Sequence, residues 1–169
     1  MSPLWKGAAA GLVGGLAGAW AKSKTEPVLQ VVGEDFFPPT YDEKQLPGAD
    51  ISGHPERMPP ALLVARLTGG RISQTQTLAA QSRIHYVFGT GAGVAYGVLA
   101  EVAPVVGIGY GLPAALALWA GTHGTMLPAL GLQARPADLP TSAHVWEVGS
   151  HLVFGLTADL VRRAVRRAL

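Results

Sequence analysis

The chain has 169 residues, 49% hydrophobic and only 14% charged, with a mean hydropathy of +0.27. Ordinary soluble domains carry about 25% charged residues, so the composition is that of a membrane protein. There is no cysteine, which excludes a disulfide framework and a thiolate metal site and leaves nitrogen and oxygen as the only metal donors.

The first apolar segment covers about 4–22, with Gly7, Gly11 and Gly15 at helical spacing and Gly14 and Gly18 in a second register. Small residues let helix backbones approach closely in lipid, so both registers read as packing faces. The run ending in Ala19, Trp20 and Ala21 also has the outline of a signal peptide. We read it as a retained first helix closed by Lys22 and Glu26.

A polar stretch follows, about 24–77, rich in proline and acid at its start and holding a short helix near Pro60–Leu67. It reads as a long extramembrane loop lying on the bilayer surface or over the bundle mouth. The second span, about 78–100, repeats the glycine pattern at Gly89, Gly93 and Gly97, with Arg83 and His85 near its beginning. Gly89, Gly91 and Gly93 imitate a dinucleotide loop, but the third glycine of that fingerprint falls on Val94 and no strand precedes it. No nucleotide cofactor is expected.

The third span, about 105–131, lies in a stretch without Asp, Glu, Lys or Arg, and Pro113 is expected to kink it. The turn-forming segment Arg135–Ser142 leads into the fourth span, about 143–161. That span closes on Asp159 and on Arg162, Arg163, Arg166 and Arg167. This basic cluster beside an apolar span reads as a cytoplasmic, lipid-facing anchor and not as a nucleic-acid surface. The expected fold is therefore all-α, an integral membrane four-helix bundle in one domain. Both termini are cytoplasmic, although Lys22, Lys24 and Arg83 then fall on the outer side.

With this topology the ionisable residues converge at one depth. Glu147 and His151 stack on one helix face at i and i+4, roughly 6 and 12 Å below the outer start of the fourth helix. His123 lies near the outer end of the third, His85 near the outer start of the second, and Lys22 and Glu26 at the outer end of the first. Ionisable groups at membrane depth are costly and usually functional. Imidazoles and carboxylates without thiols suit zinc, iron, manganese, copper or nickel, held between facing helices. The expected metal ligands are His85, His123, Glu147 and His151, with Glu26 bridging if there are two ions. A histidine here could instead simply hydrogen-bond a neighbouring helix, Glu147 could serve the helix dipole, and Glu26 could merely pair with Lys22. Asp159 with Arg162 or Arg163 reads as an interfacial ion pair, with Glu101 at the same inner edge. His54 and His144 read as solvated, and Trp5, Trp20, Trp119 and Trp146 as interface anchors. Ser142 and Ser150 lie one or two positions from His144 and His151, a spacing that does not bring side chains together on a helix, so no serine hydrolase is expected.

Several segments carry a family resemblance: Ile84-His85-Tyr86-Val87-Phe88, Tyr96 to Pro104 with Glu101, His123 followed by Pro128 to Leu132, Asp138-Leu139-Pro140, Glu147 to Val153 with His151, and Asp159 to Arg163. Together they resemble the YagU-like inner-membrane proteins, a family of unknown biochemical function. The similarity is weaker at Lys22 with Glu26 and at Pro59-Pro60-Ala61-Leu62-Leu63, and the long loop departs from it. The resemblance implies a multi-pass location in the bacterial inner membrane and no particular activity.

Three functions fit these residues. The first is a metal-binding membrane protein, an enzyme if the metal keeps open positions. The second is a proton-linked channel or transporter with Asp159 or Glu101 as the inner station, although the aliphatic middle of the bundle offers it no continuous polar path. The third is a structural or accessory subunit whose glycine stripes mediate association. The partners expected are the lipid bilayer and either further copies of the chain or a larger membrane complex, with no nucleic acid.

Overall fold

The computed structural model of the chain describes residues 3–169, and among them it contains helices, turns and loops but no strand. Helix α1 spans Pro3–Phe36, α2 Tyr41–Lys44, α3 Pro59–Thr68, α4 Gln74–Val102, α5 Leu112–Gly121, α6 Leu127–Ala129 and α7 Thr141–Ala168. The chain is all-α, as expected.

The helix limits differ from the expected spans in informative ways. α1 does not stop at Lys22 but continues through Pro27 to Phe36. It ends where Pro38 and Pro39 steer the preceding residue out of the helical region. The stretch 24–77 is therefore not a single loop, since it holds the end of α1, then α2 and α3, and the start of α4. α4 starts four residues before Leu78, at Gln74, because Ser73 and Gln76 form a reciprocal cap: Gln76 N donates to Ser73 Oγ and Ser73 N to Gln76 Oε1. Pro113 does not kink the third segment. It occupies the first turn of α5, where a missing N–H costs nothing. The distortion comes later, in a π turn at Thr122–Met126 in which Leu127 N donates to Thr122 O.

Among the described residues no helix is both long and apolar enough to cross a membrane. Length is not what α1, α4 and α7 lack, at 34, 29 and 28 residues. Their average is lowered by glycine and by polar residues such as Lys22, Glu26, Glu147 and His151, all of which are buried.

The chain divides into two compact units. The first takes α1 as far as Thr25, Tyr86–Leu118 and Ser150–Leu169. Here the glycines of α1 work in two registers. A Cβ on Gly7 would lie 2.6 Å from Gly97 O, one on Gly11 3.0 Å from Gly97 Cα, and one on Gly15 2.8 Å from Gly89 O. The contacts run upward along α1 and downward along α4, so the two helices are antiparallel with backbones in direct contact. The second register faces α7, where a Cβ on Gly14 would meet Arg162 Cβ at 3.2 Å and one on Gly18 Phe154 O at 2.8 Å. α5 approaches α7 the same way, since a Cβ on Gly155 would meet Ala115 Cβ at 2.5 Å. The core of this unit is Ala19, Phe154 and Ala158 with Tyr86, Ala92 and Leu118 around them.

The second unit takes Glu26–His85 and Trp119–Gly149. A Cβ on Gly33 would lie 2.9 Å from Ser142 O, and one on Gly149 3.0 Å from Leu29 Cδ1. Ala49, Leu139 and Ala143 form an apolar cluster. The segment after α2 is tied to α1 through Asp50, which accepts from Gln30 Nε2 at 2.6 Å, Gly53 N at 2.7 Å and Ser52 N at 3.1 Å. Burial works against the charge of Asp50, but these hydrogen bonds and the nearby Lys44 ammonium outweigh it and hold the carboxyl below its ordinary range. Arg66 anchors α3 by donating to Leu130 O at 2.7 Å.

Candidate functional site

The π turn decides where His123 sits. It inserts an extra residue just before Pro128, whose ring would otherwise clash with a carbonyl of the preceding turn. His123 Nδ1 comes within 2.8 Å of Gln133 Oε1 and 3.2 Å of Glu147 Oε1. Gln133 follows the turn and is pressed from behind by Gly48, where a Cβ would lie 2.7 Å from Gln133 Cγ. Gly48 has φ +86°, so a larger residue there would meet both strain and collision.

Glu147 is the centre of this cluster and is only 1% exposed. Gln133 Nε2 donates to its Oε1 at 2.7 Å and Trp119 Nε1 to its Oε2 at 3.3 Å. His144 packs edge-on to Trp119, with ring centroids 6.5 Å apart, and its Nε2 lies 2.9 Å from Pro136 O. Both neighbours of His123 Nδ1 are acceptors, so this nitrogen carries the proton. In the neutral ring the basic lone pair then belongs to Nε2. A buried carboxylate beside an imidazole can take up or release a proton, and the same carboxylate can orient the imidazole toward a metal.

The structure thus brings the expected residues His123 and Glu147 together. His151 is buried one turn further along α7, within the first unit, and His85 is half-buried on α4. Lys22 and Glu26 are both buried, one turn apart on α1. Among the described residues no three histidine, aspartate or glutamate side chains gather closely enough to hold a metal ion. Gln133 and Trp119 were not expected in the site. The signal for Gln133 was its place as a neutral polar side chain near the end of the longest stretch without formal charge.

At the other end of α7, in the first unit, Asp159 is 0% exposed and pairs with both candidate arginines. Arg162 Nη2 and Arg163 Nε each lie 2.6 Å from it. Arg162 also lies 5.4 Å over the ring of Tyr96. Arg163 lies 5.1 Å over Tyr110 and donates to Gly107 O. Glu101 pairs in bidentate fashion with Arg166, at 2.6 and 3.0 Å.

Residues 34–160 match the model of a protein family described as a protein of unknown function, DUF1440. No curated protein and no solved structure matches the chain.

Proposed function

Since the chain belongs to the DUF1440 family, we propose that it is a multi-pass protein of the bacterial inner membrane, of the YagU-like kind it resembles, with both termini cytoplasmic. Within it the Glu147–His123 pair is the proton-binding station of a proton-linked channel or transporter. The observation that carries this reading is an inverted polarity. Glu147, Ser150, His151 and Asp159 are buried, while Leu12, Leu16, Trp20, Val28 and Val31 line exposed positions of α1, with Trp20 57% and Val31 60% exposed. Large exposed apolar faces mark contact with another apolar phase. A hydropathy average counts the polar inward face of each helix and so understates the apolar outward one.

The hydrogen bonds that Glu147 already accepts, from Gln133 and His123 at one oxygen and from Trp119 at the other, disfavour direct ligation of a metal by this carboxylate and leave Nε2 of His123 as the basic lone pair of the pair. The test has two parts. Alkaline washing of membranes should leave the protein in the pellet. In liposomes loaded with a pH-sensitive dye, the purified protein should carry protons down an imposed gradient, and Glu147→Gln should abolish the flux. A soluble protein after washing refutes the membrane location, and an unchanged flux in Glu147→Gln refutes the station.

One observation favours a second reading. His123 turns its Nδ1–H to a carboxylate, the arrangement that holds a metal-bound imidazole with Nε2 toward the ion. A transition metal, zinc, iron, manganese, copper or nickel, would then be ligated by His123 with His85 or Glu26. Element-resolved mass spectrometry on untagged protein decides it. About one ion per chain, lost in both His123→Ala and His85→Ala, supports the metal, and a metal-free folded protein excludes it.

A further inference from the structure

The first unit contains a partly open apolar cleft between α4, α5 and α7, with a volume of about 370 Å³. Its walls are small or aliphatic, among them Ala92, Ala95, Leu99, Ala117 and Leu118, with Phe154 on α7. Ala95, Leu99 and Ala117 are exposed, so the cleft opens outward. The volume falls within the range of sites that hold small molecules.

One end of the cleft is basic. Tyr96 lines it and carries the guanidinium of Arg162 over its ring at 5.4 Å. Val106 also lines it, and a Cβ on the adjacent Gly107 would lie 3.3 Å from Arg163 Nη2 and 3.7 Å from Arg162 Nη2. Arg166 is on the same turn of α7, and Arg167 is exposed. Four guanidinium groups therefore stand against two carboxylates, Asp159 and Glu101. The loop beneath them is held in a strained form, since Tyr110 has φ +55° between two glycines of positive φ and lies under Arg163.

We infer that this cleft binds an anionic phospholipid, with one acyl chain along the Ala95–Leu99–Ala117 wall and the phosphate at Arg163 and Arg167. The inference rests on the membrane location proposed above. Apolar walls ending in an excess of positive charge match an amphiphile with an anionic head, and basic groups at the cytoplasmic face attract anionic lipid. A second copy of the chain fits less well. In the same membrane orientation it would bring its own Arg162–Arg167 cluster to the same level and add like-charge repulsion.

The test is native mass spectrometry of the detergent-purified full chain with phosphatidylglycerol, phosphatidylcholine or inorganic phosphate. Phosphatidylglycerol should be retained about tenfold better than phosphatidylcholine, and Arg163→Gln and Arg167→Gln should each weaken it roughly fivefold. Ala117→Phe, which fills the cleft from its exposed wall, should remove retention, while Leu116→Phe on the outer face of the same helix should not. Arg167 and Ala117 are exposed, so their variants remain informative if Arg163→Gln does not fold. Equal retention of the two lipids, retention unchanged in Ala117→Phe, or displacement by inorganic phosphate alone overturns the site. So does a dimer that Ala117→Phe disrupts, which would give the cleft to a second copy. Failure of the membrane location is read separately, as release of the protein on alkaline washing, and the lipid comparison can still be made on the released protein.

Discussion

Gln133 Nε2 donates to Glu147 Oε1 at 2.7 Å, so the loop after the π turn holds a carboxylate that α7 alone would bury without an adequate partner. The same amide presents its oxygen to His123 Nδ1 at 2.8 Å. One neutral side chain therefore fixes both members of the pair, the buried Glu147 and the half-buried His123. Gln133→Leu should lower stability by about 1–3 kcal/mol, the cost of leaving buried polar groups under-satisfied. Thermal unfolding in detergent checks it, and Gln133→Glu should be worse because it sets a second carboxylate against Glu147.

The glycine contacts predict a sharp contrast within one helix. Gly93→Ala would place a methyl carbon 2.7 Å from Gly15 N, against backbone that cannot rotate away, and should cost about 1–3 kcal/mol. Gly91, two residues earlier, has nothing within 4 Å of an added Cβ. Gly91→Ala should stabilise α4 by about 0.5–1 kcal/mol through helix propensity alone. Unfolding midpoints of the two variants should move in opposite directions.

Asp159 is buried between two arginines. Asp159→Ala should destabilise the first unit by about 3–5 kcal/mol, because it strands a buried guanidinium. Asp159→Leu combined with Arg162→Met, which removes both charges of that pair, should recover part of the loss. If the double variant proves as unstable as Asp159→Ala, the uncompensated charge is not the cause.

Asp50 sets a pH dependence in the second unit. Its carboxyl is held below the ordinary aspartate value when folded, so the folded state binds fewer protons than the unfolded state between the two values. The stabilisation is fully present above the ordinary aspartate pKa of about 3.9, and is lost as pH falls through the lower folded value. Hydrogen exchange at Ser52 and Gly53, whose amides donate to Asp50, should stay slow near neutrality and rise relative to the rest of the unit in strong acid. Asp50→Asn should flatten this dependence.

Much of the architecture was legible in the residues themselves. The i, i+4 glycines mark helix faces on which side chains are excluded, and both registers of α1 meet a different helix, α4 through Gly7, Gly11 and Gly15 and α7 through Gly14 and Gly18. The ion pairs at Asp159 followed from spacing, because i+3 and i+4 on a helix are neighbours whatever the fold. The short helix read near Pro60–Leu67 appears as Pro59–Thr68 for the same local reason. Local periodicity determined these features.

What needed the tertiary structure is the composition of the site. Depth along four helices put His85, His123, Glu147, His151 and Glu26 in one layer, but depth says nothing of rotation about each helix axis or of the π turn that turns His123 toward Glu147 and Gln133. The end of α1 was misplaced because Lys22, Lys24, Glu26 and Pro27 read as a boundary. The packed helix keeps Lys22 and Glu26 buried and carries Pro27 through its interior, an outcome set by long-range packing that outweighs local propensity. Sequence determined which faces are apolar, small or charged. Only the tertiary structure decided which of those faces meet, because that choice rests on contacts between residues far apart in the chain.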